Sequence, residues 1–280
     1  MRQQTFINKK PILYIVATPI GNMQEFTIRA QEILKSVALI GCEDTRTSRV
    51  LLDHFNIDTP LASYHKFNEK ESVNKFIEVL DSGKDIALIS DAGYPLVSDP
   101  GSVLVDEVIK HGYNVTTISG SSAFLSALVA SNFSLTRFTF IGFLDSKSSA
   151  RKHQLEEVKN YKETLIFYES PHRIKEMLED VLLVFGDRNI VLARELTKKF
   201  EEYIRGKVSD VLLNLDGVKG EIVVVVEGNK EEKKEINEED LLEEIASYLD
   251  SGMSNKDIVS LIVDKYNLKK NYVYNLVCKK

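Results

Sequence analysis

Residues 91–101 read DAGYPLVSDPG and are the most informative segment of the chain. They follow an apolar run at residues 86–89, which is typical of a buried strand, and they precede a segment whose apolar residues have helical spacing. Both prolines fix φ and remove a backbone donor, and both glycines let the backbone approach a ligand closely. Such a loop predicts a ligand site at the carboxyl end of a parallel strand. The alternative is a tight connection in which Asp99 caps the helix and Pro100 takes its first position.

Composition places the chain among ordinary globular proteins. It has 280 residues, of which 43% are hydrophobic, and a net charge of −6. This length suits one large or two medium domains. The negative charge argues against non-specific coating of nucleic acid, although it permits a local basic patch. No apolar stretch reaches the roughly 18 residues of a membrane span, and residues 1–10 lack the apolar core of a secretion signal.

Cysteine and histidine usage points to a reducing compartment without a metal centre. Cys42 and Cys278 lie far apart, so neither a disulfide framework nor a metal-binding knuckle is expected. The chain has no His-x-Glu or Cys-x-x-Cys spacing, so we expect no metal site. We therefore expect a cytoplasmic protein that does not contact a membrane.

Strand and helix signals alternate in the first half of the chain. We predict strands at residues 12–17, 37–40, 86–89 and 114–118, and helices at residues 27–35, 45–55, 73–80, after Gly101 and at 123–130. This alternation implies a mostly parallel sheet with right-handed crossovers. We therefore expect an α/β domain over residues 1–133.

The regular alternation of strand and helix signals ends after a hinge at residues 131–137. We predict strands at residues 138–143, 164–168, 189–193, 202–205 and 221–226, with three helical stretches between them. The pattern indicates a second, α+β domain with a mixed sheet over residues 134–228.

A tail of different composition follows at residues 229–280. A charged run at residues 228–240 predicts a linker, and three short helices follow it. The last two, at residues 256–264 and 269–279, are joined through Asn267 and resemble a helix-turn-helix pair. Because residues 254–280 carry six lysines and two aspartates, their local charge is +4. Two interpretations of this tail stay open: it contacts nucleic acid, or it is a helical hairpin that closes a domain.

Polar segments follow the predicted strands of the first half, where open α/β sheets bind their ligands. Residues 17–22, ATPIGN, lack both the G-x-G-x-x-G fingerprint and the Walker pattern, which argues against ordinary dinucleotide binding and phosphoryl transfer. Residues 43–46, EDTR, are either part of a ligand site or a helix N-terminus that Asp44 caps. Residues 119–122, SGSS, suit a carboxylate, a ribose hydroxyl or a plain helix cap.

Charged residues also follow the predicted strands of the second half. Residues 167–173 read FYESPHR, in which Ser170 and Pro171 suit the cap and first position of a helix. Glu169 and Arg173 remain clustered with a histidine at the same strand end, which favours a functional role. Residues 194–199, RELTKK, follow the next strand with similar charge density. The absence of a Gly-x-Ser-x-Gly elbow argues against a hydrolase.

Five of these segments resemble, in order, the motifs of the ribosomal RNA small subunit methyltransferase I family. They are residues 18–22, 43–46, 91–101, 167–170 and 193–198, and the resemblance covers residues 11–228. It implies an α/β, two-domain tetrapyrrole-methylase-like fold, with a mostly parallel N-terminal sheet, a mixed C-terminal sheet and a small helical tail. It also implies a homodimer with S-adenosylmethionine in the cleft between the domains. The implied reaction is 2′-O-methylation of a cytidine ribose in the decoding region of small-subunit (16S) ribosomal RNA, free or in the assembled subunit.

The resemblance and the strand ends together suggest the site residues. Those expected against the cofactor, from the resemblance, are Pro19, Gly93, Tyr94, Val97, Ser98, Ser121, Ser122, Phe167, Tyr168 and Leu196. Those expected on the RNA side of the cleft, because each follows a strand end, are Asp44, Arg46, Glu169, Arg173, Arg194 and Glu195. The three carboxylates are candidates to accept the proton of the ribose hydroxyl. The three guanidinium groups are expected to hold phosphates, whose oxygens match their forked donors. Asp91 and Asp99 are expected to shape and cap their loop.

Two other functions stay open. A small-molecule methylase of the same fold would act on a tetrapyrrole or a related substrate. Residues 18–22, TPIGN, differ from the glycine-rich, aspartate-containing turn that is usual in that class. A non-enzymatic RNA-binding protein would use the tail, and this function leaves the strand-end clusters without a role.

Overall fold

The structure is a computed structural model that describes residues 2–66, 69–230, 237–266 and 268–278. It divides into two compact units, Met1–Asn229 and Lys230–Lys280. The first unit contains two five-stranded sheets, and the described part of the second is helical. The α/β fold predicted from the sequence is therefore confirmed. The finer boundaries after residues 133 and 228 stay predictions.

The first sheet is parallel throughout and has the strand order β3-β2-β4-β1-β5. Its strands are β1 (Ile12–Val16), β2 (Leu39–Cys42), β3 (Leu61–Ser63), β4 (Ile86–Leu88) and β5 (Asn114–Ile118). The helices that follow the strands are α1 (Ile28–Ser36), α2 (Thr45–His54), α3 (Glu69–Asp81), α4 (Ser102–Lys110) and α5 (Ala123–Ala130). The sequence predicts all of these except β3, whose residues Leu-Ala-Ser lack the apolar run that marks the equally short β4.

Helices cover both faces of the first sheet. The helices α1 and α2 pack on one face, around Leu34 and Leu52. The helices α3 and α4 pack on the other face, around Phe76 and Leu104. The interior strand β1 is buried along its whole length, as expected for a parallel strand that is covered on both sides.

The second sheet is mixed and has the strand order β6-β7-β10-β8-β9. Its strands are β6 (Phe138–Phe143), β7 (Thr164–Glu169), β8 (Asn189–Arg194), β9 (Glu202–Lys207) and β10 (Ile222–Val226). The strands β6 and β7 pair in parallel, and the other neighbours pair antiparallel. One face packs on α6 (Ser148–Val158), α7 (Ile174–Phe185) and α8 (Val208–Leu212). The other face packs on α5, which thereby joins the two sheets.

The predicted Asp99-Pro100 cap of α4 is wrong. The N-cap of α4 is Gly101, which has a φ of 140° and no side chain to accept a hydrogen bond. The hydroxyl of Tyr64 accepts the N–H of Leu104 at 3.0 Å, and a carboxylate oxygen of Glu69 accepts the N–H of Gly101 at 2.9 Å. Side chains from outside the loop therefore satisfy the donors that a capping aspartate would serve.

The predicted cap of α7 is also wrong. The helix begins at Ile174 with Arg173 at the N-cap position, after a turn that contains Ser170 and Pro171. The carboxylate of Glu169 accepts the N–H of Ser170 at 2.7 Å and pairs with the guanidinium of Arg173 at 2.8 Å. These contacts close the turn, so the helix starts later than the position of the proline suggests.

The second unit contains three helices within its described part. They are α9 (Glu238–Asp250), α10 (Asn255–Tyr266) and α11 (Lys270–Cys278), and they share a core that includes Leu241, Ile258 and Val273. This agrees with the three helices predicted for the tail. Residues 231–236 of the predicted linker, Asn267 and Lys279 lie outside the described residues. Within the described ranges of the whole chain, no helix is long and apolar enough to cross a membrane.

Candidate active site

A cavity of about 350 Å³ lies where loops of the two sheets meet. Its walls come from the loops that follow β1, β4, β5, β7 and β8, together with the end of β6 and the start of β10. The volume is that of a site for a small ligand or a cofactor. Among the residues expected against the cofactor, the walls contain Gly93, Tyr94, Val97, Ser98, Ser122, Tyr168 and Leu196.

Residues 91–101 contribute one wall, and hydrogen bonds tie this loop to its neighbours. Thr18 and Gly93 form an antiparallel bridge, in which each N–H donates to the other's carbonyl at 2.9 and 3.1 Å. The hydroxyl of Ser90 donates to the carbonyl of Gly93 at 3.1 Å. The N–H of Gly120 donates to the hydroxyl of Tyr94 at 3.1 Å. The loop after β4 is therefore bound to the loops after β1 and β5.

Unusual backbone conformations occur in two of the loops around the cavity. Leu96 and Ser98 have φ values of 71° and 69° in the loop after β4, and Glu195 and Thr197 have values of 51° and 67° in the loop after β8. Residues other than glycine rarely adopt this left-handed region, and they are often found at binding sites when they do. Both loops thus present backbone groups in orientations that ordinary turns do not provide.

Another wall of the cavity is apolar. The rings of Phe143 and Tyr168 lie with their centroids 5.5 Å apart, and Ile20, Leu196 and Val223 add aliphatic surface. Aromatic rings next to aliphatic side chains suit a flat, largely apolar group such as a nucleoside base.

Asp99 lines the cavity, and its surroundings disfavour the charged form of its carboxylate. Burial, together with the carboxylates of Glu43 and Asp91, raises the pKa of Asp99 to about 6 against the opposing hydrogen bond with Ser90. Burial and the nearby Asp99 also raise the pKa of Tyr168. The expectation that Asp99 only shapes and caps its loop is therefore corrected, because it presents a titratable group to the cavity.

A second, more open cavity of about 440 Å³ adjoins the first. Ile20, Ala92 and Glu221 line both cavities. The rest of its lining is Pro19, Gly21, Met23, Thr47, Val50, Leu51, Asp91 and Lys198. Pro19, which is expected against the cofactor, therefore lies in the second cavity.

Lys198 connects the loops around this second cavity. Its Nζ lies 2.9 Å from Oε1 of Glu195 and 2.9 Å from Oε2 of Glu221. Burial lowers the pKa of the Lys198 ammonium, but the hydrogen bonds to the two carboxylates outweigh burial and leave it raised. The hydrogen bond from Lys198 in turn lowers the pKa of Glu195. The aliphatic stem of Lys198 crosses Gly21, where a Cβ would overlap its Cγ.

Asp44 and Arg46 bind each other at the start of α2. Asp44 accepts the N–H of Arg46 at 2.8 Å and pairs with its guanidinium at 2.8 Å, as in the predicted helix-cap alternative. The hydrogen bonds from Arg46 lower the pKa of Asp44 to about 2. The side chain of Arg46 is 90% exposed, and neither residue lines either cavity.

The structure turns Phe167 and Glu169 away from the cavity. Side chains alternate along β7, and Phe167 belongs to the core under α6 and α7, on the face opposite to α5. Glu169 shares this direction: although it borders the cavity, its side chain is 0% exposed and binds Ser170 and Arg173. This corrects two expectations, since neither the Phe167 ring nor the Glu169 carboxylate is presented to a ligand there. Tyr168, between them, faces the cavity.

Four further predicted site residues lie outside the lining of both cavities. Arg194 pairs with Glu202 at 2.5 Å, and the hydroxyl of Ser121 donates to Glu25 at 2.9 Å. The other two are Arg173, which pairs with Glu169, and Glu195, which pairs with Lys198.

Residues 220–223 were missed by sequence reasoning, although they form part of the cavity wall. The sequence pattern directs attention to residues that follow strands, whereas Glu221 precedes β10. Because β10 runs antiparallel to β7 and β8, its first residues lie at the same edge as their last residues. The mixed sheet predicted from the sequence implies some antiparallel strands, so it could have directed attention to residues that precede a strand at this edge. Phe143, at the end of β6, has no sequence signal beyond its aromatic ring.

Comparison with known proteins establishes the family. The profile of the tetrapyrrole (corrin/porphyrin) methylases matches residues 12–212. Ribosomal RNA small subunit methyltransferase I of Bacillus subtilis (strain 168) is 43% identical, over 98% of this chain and 97% of the relative. The chain belongs to the ribosomal RNA small subunit methyltransferase I family. The protein of the same name from Halalkalibacterium halodurans is 42% identical over 95% of this chain and 94% of its own length.

Membership of the ribosomal RNA small subunit methyltransferase I family makes the chain a methyltransferase. Uroporphyrin-III C-methyltransferase from Thermus thermophilus has the same fold, with a TM-score of 0.56 over 78% of this chain and 94% of that chain. Its sequence identity of 17% shows the fold alone. Within the described residues of this family member, no three His, Cys, Asp or Glu side chains form a group that could hold a metal ion.

Proposed function

We propose that this methyltransferase transfers the methyl group of S-adenosylmethionine to the 2′-hydroxyl of a cytidine ribose in small-subunit (16S) ribosomal RNA, near the decoding centre. The name that the relatives carry supports ribosomal RNA as the substrate. The observation that carries the proposal is the pair of adjoining cavities with three wall residues in common. The narrower cavity suits a cofactor, and the open one suits a nucleotide that is extruded from folded RNA.

The walls of the first cavity fit S-adenosylmethionine. Gly93 lines this cavity with a φ of 76°, a conformation that glycine adopts without strain. The rings of Phe143 and Tyr168 suit the adenine, and the hydroxyl of Ser122 suits a polar group of the cofactor. The residues that we propose to hold the cofactor are Gly93, Tyr94, Val97, Ser98, Ser122, Tyr168 and Leu196. The bound cofactor supplies an electrophilic methyl group, so positioning of the acceptor hydroxyl accounts for much of the remaining acceleration.

Arg46 is the arginine of the predicted set that is best exposed to RNA. Its side chain is 90% exposed, and its helix α2 contributes to the wall of the second cavity. We propose that its guanidinium binds a phosphate of the RNA backbone. All three guanidinium groups pair with a carboxylate, but the side chains of Arg173 and Arg194 are only 29% and 19% exposed.

The proposed functional form is a homodimer. Helix α5 is apolar except for Ser126, and its outer face leaves Leu125 and Val129 exposed. The edge strand β6 adds Phe138, which is also exposed. Exposed apolar patches of this kind mark protein contacts, and we propose that a second copy of the chain covers this one. Light scattering should give a dimer mass for the native protein and a monomer mass for the Leu125→Lys, Val129→Lys double variant. A Leu183→Lys control, on the exposed side of α7, should leave the dimer intact.

Methylation of isolated small subunits tests the reaction. Subunits from a strain that lacks this protein are incubated with it and with S-adenosylmethionine that carries a labelled methyl group. Nuclease digestion and mass spectrometry should then find the label in 2′-O-methylcytidine. Label on a base would contradict the 2′-O assignment. Absence of label from the RNA, with transfer to a tetrapyrrole in a parallel reaction, would favour the small-molecule alternative.

A further inference from the structure

Glu221 occupies the border between the two cavities. Three residues line both cavities, and Glu221 is the ionisable one among them, next to Ile20 and Ala92. Asp99 lines the first cavity and Asp91 lines the second, so neither carboxylate spans the border. A group that acts on an acceptor as it meets the cofactor has to lie at this border, because the reacting atoms come together there.

Both the backbone and the side chain of Glu221 are held in place. Its N–H donates to Oε1 of Glu195 at 3.2 Å, and the N–H of Glu195 donates to the carbonyl of Glu221 at 3.0 Å. Oε2 of Glu221 lies 2.9 Å from Nζ of Lys198, which also binds Glu195. The stem of Lys198 is itself packed against Gly21, and Gly220 leaves no room for a Cβ beside Glu195. The loop after β8 therefore holds Glu221 twice, because Glu195 binds its backbone and Lys198 binds its carboxylate.

One oxygen of Glu221 remains available to a substrate. Oε2 accepts the hydrogen bond from Lys198, and no hydrogen bond to Oε1 occurs within the described residues. The side chain of Glu221 is 74% exposed, so it faces the open space of the cavities. The other acids that sequence reasoning put forward are less suitable, because Asp44 lies outside both cavities and Glu169 has no exposed side-chain surface.

We propose that Glu221 is the catalytic residue that accepts the proton of the acceptor hydroxyl, and that Lys198 is a positioning residue that orients its carboxylate. This inference rests on the proposed function. The O–H bond of the ribose breaks and its proton passes to Oε1 of Glu221, while the oxygen forms a bond to the methyl carbon. The carbon–sulfur bond breaks, and its electron pair stays on sulfur as a neutral thioether. The exposed side chain then releases the proton to water.

Substitution of Glu221 tests the catalytic role. Glu221→Gln keeps the shape of the side chain and removes the proton acceptor, so the single-turnover rate of RNA methylation should fall by about 100-fold or more. The affinity for S-adenosylmethionine, measured by calorimetry, should stay within about twofold of the native value, and so should the affinity for RNA, measured by filter binding. The melting temperature should stay within a few degrees of the native value. Glu221→Asp should recover part of the rate. Glu179→Gln is the matched control, since Glu179 is exposed on α7, and it should keep the native rate.

Lys198→Met tests the positioning role, because methionine keeps an aliphatic stem over Gly21 and lacks the ammonium. We expect kcat to fall about tenfold or more with little change in KM for the RNA. A raised KM with native kcat would instead make Lys198 an RNA contact and overturn its positioning role. A native rate for Glu221→Gln would overturn the inference while leaving the proposed function intact. If the native protein itself produced no 2′-O-methylcytidine, the proposed function would fail first, so the two failures are distinguishable.

Discussion

At the scale of single residues, Gly220 shows how one backbone position shapes the site. Its φ is 85°, and a Cβ there would overlap Oε1 of Glu195, the oxygen that binds Lys198. Gly217 has a similar φ of 77°, but a Cβ there would meet no atom within 4 Å. The two glycines thus share the need for a left-handed backbone and differ in the space around them.

Alanine substitutions at these glycines separate the two effects. Gly217→Ala should lower the free energy of unfolding by about 1–2 kcal/mol, the cost of a left-handed backbone for a residue with a Cβ. Gly220→Ala should lower it by roughly 1–3 kcal/mol more, because Glu195 has to move. Urea denaturation measures both losses. Equal losses of unfolding free energy for the two variants would show that Glu195 moves aside without an energetic cost.

Asp99 makes stability depend on pH. Its pKa in the folded chain is about 6, above the ordinary value of 3.8, because burial and neighbouring acids oppose its charge. The folded chain therefore binds this proton more tightly than the unfolded chain does. The contribution of Asp99 to stability is complete below pH 3.8 and is lost as the pH rises through about 6.

Asp99→Asn should remove this pH dependence. Near pH 8 it should raise the free energy of unfolding by about 1–3 kcal/mol. The shift of roughly two pKa units corresponds to about 3 kcal/mol at about 1.4 kcal/mol each, and solvent screening of this half-buried side chain reduces it. The gain should shrink as the pH falls from about 6 towards 3.8, where the native side chain is also neutral. Urea titrations at a series of pH values give the comparison. A gain that stays constant with pH would contradict the raised pKa.

At the scale of elements, a buried ion pair joins α6 to α7. Arg151 is 1% exposed, and its Nε lies 2.7 Å from a carboxylate oxygen of Asp180. The hydroxyl of Ser148 donates to both oxygens of this carboxylate at 3.1 Å, and the guanidinium also donates to the carbonyl of Ser146. The pair is well satisfied by hydrogen bonds. Removal of Asp180 leaves the buried guanidinium with Glu176 as its remaining carboxylate neighbour, at a longer distance of 3.6 Å and with a largely exposed side chain, so most of the charge compensation in the core is lost.

Asp180→Ala should therefore lower the free energy of unfolding by about 3–5 kcal/mol. The Arg151→Met, Asp180→Leu double variant should recover most of this loss, because it removes both charges and keeps the volume. The exposed pair of Arg49 and Asp53, at 3.8 Å, supplies the control, and Asp53→Ala should cost under about 0.5 kcal/mol. Chemical denaturation of the native protein and the three variants measures the pattern. Similar losses for Asp180→Ala and Asp53→Ala would contradict the account of the buried pair.

At the scale of the whole molecule, the two units have separate cores. All residues that line the two cavities belong to Met1–Asn229, and the helices α9 to α11 pack around their own apolar residues. The positive charge of residues 254–280 is therefore not needed to build the cavities. It suits electrostatic contact with RNA phosphates.

Deletion of residues 230–280 should separate cofactor binding from RNA binding. We expect the calorimetric affinity for S-adenosylmethionine to stay unchanged, because the cavity walls are complete without the tail. The affinity for RNA should fall roughly tenfold at low salt, with a shallower dependence on salt, because phosphate contacts are lost. Filter binding at several salt concentrations measures this. Equal RNA affinity for the truncated and full-length chains would leave the tail without an RNA-binding role.

Much of the fold could be predicted from local patterns in the sequence. The alternation of strand and helix signals predicts the parallel first sheet, because hydrophobic periodicity and turn residues act within about 10–15 residues. The short strand β3 carries no such signal and escaped prediction. The glycines and prolines of residues 91–101 likewise predict a loop that contacts a ligand, because these residue types determine which backbone conformations the loop can adopt.

Within the candidate site, the side-chain partners could not be predicted in the same way. The sequence by itself determined the parallel sheet, the mixed sheet, the helical tail and the loop at residues 91–101, since each depends on short-range preferences. Only the tertiary structure decided that Phe167 and Glu169 face away from the cavity, that burial and two acids raise the pKa of Asp99, and that Glu221 meets Lys198 at the border of two cavities. These features depend on strand direction and on distances between residues far apart in the chain, which no local pattern contains.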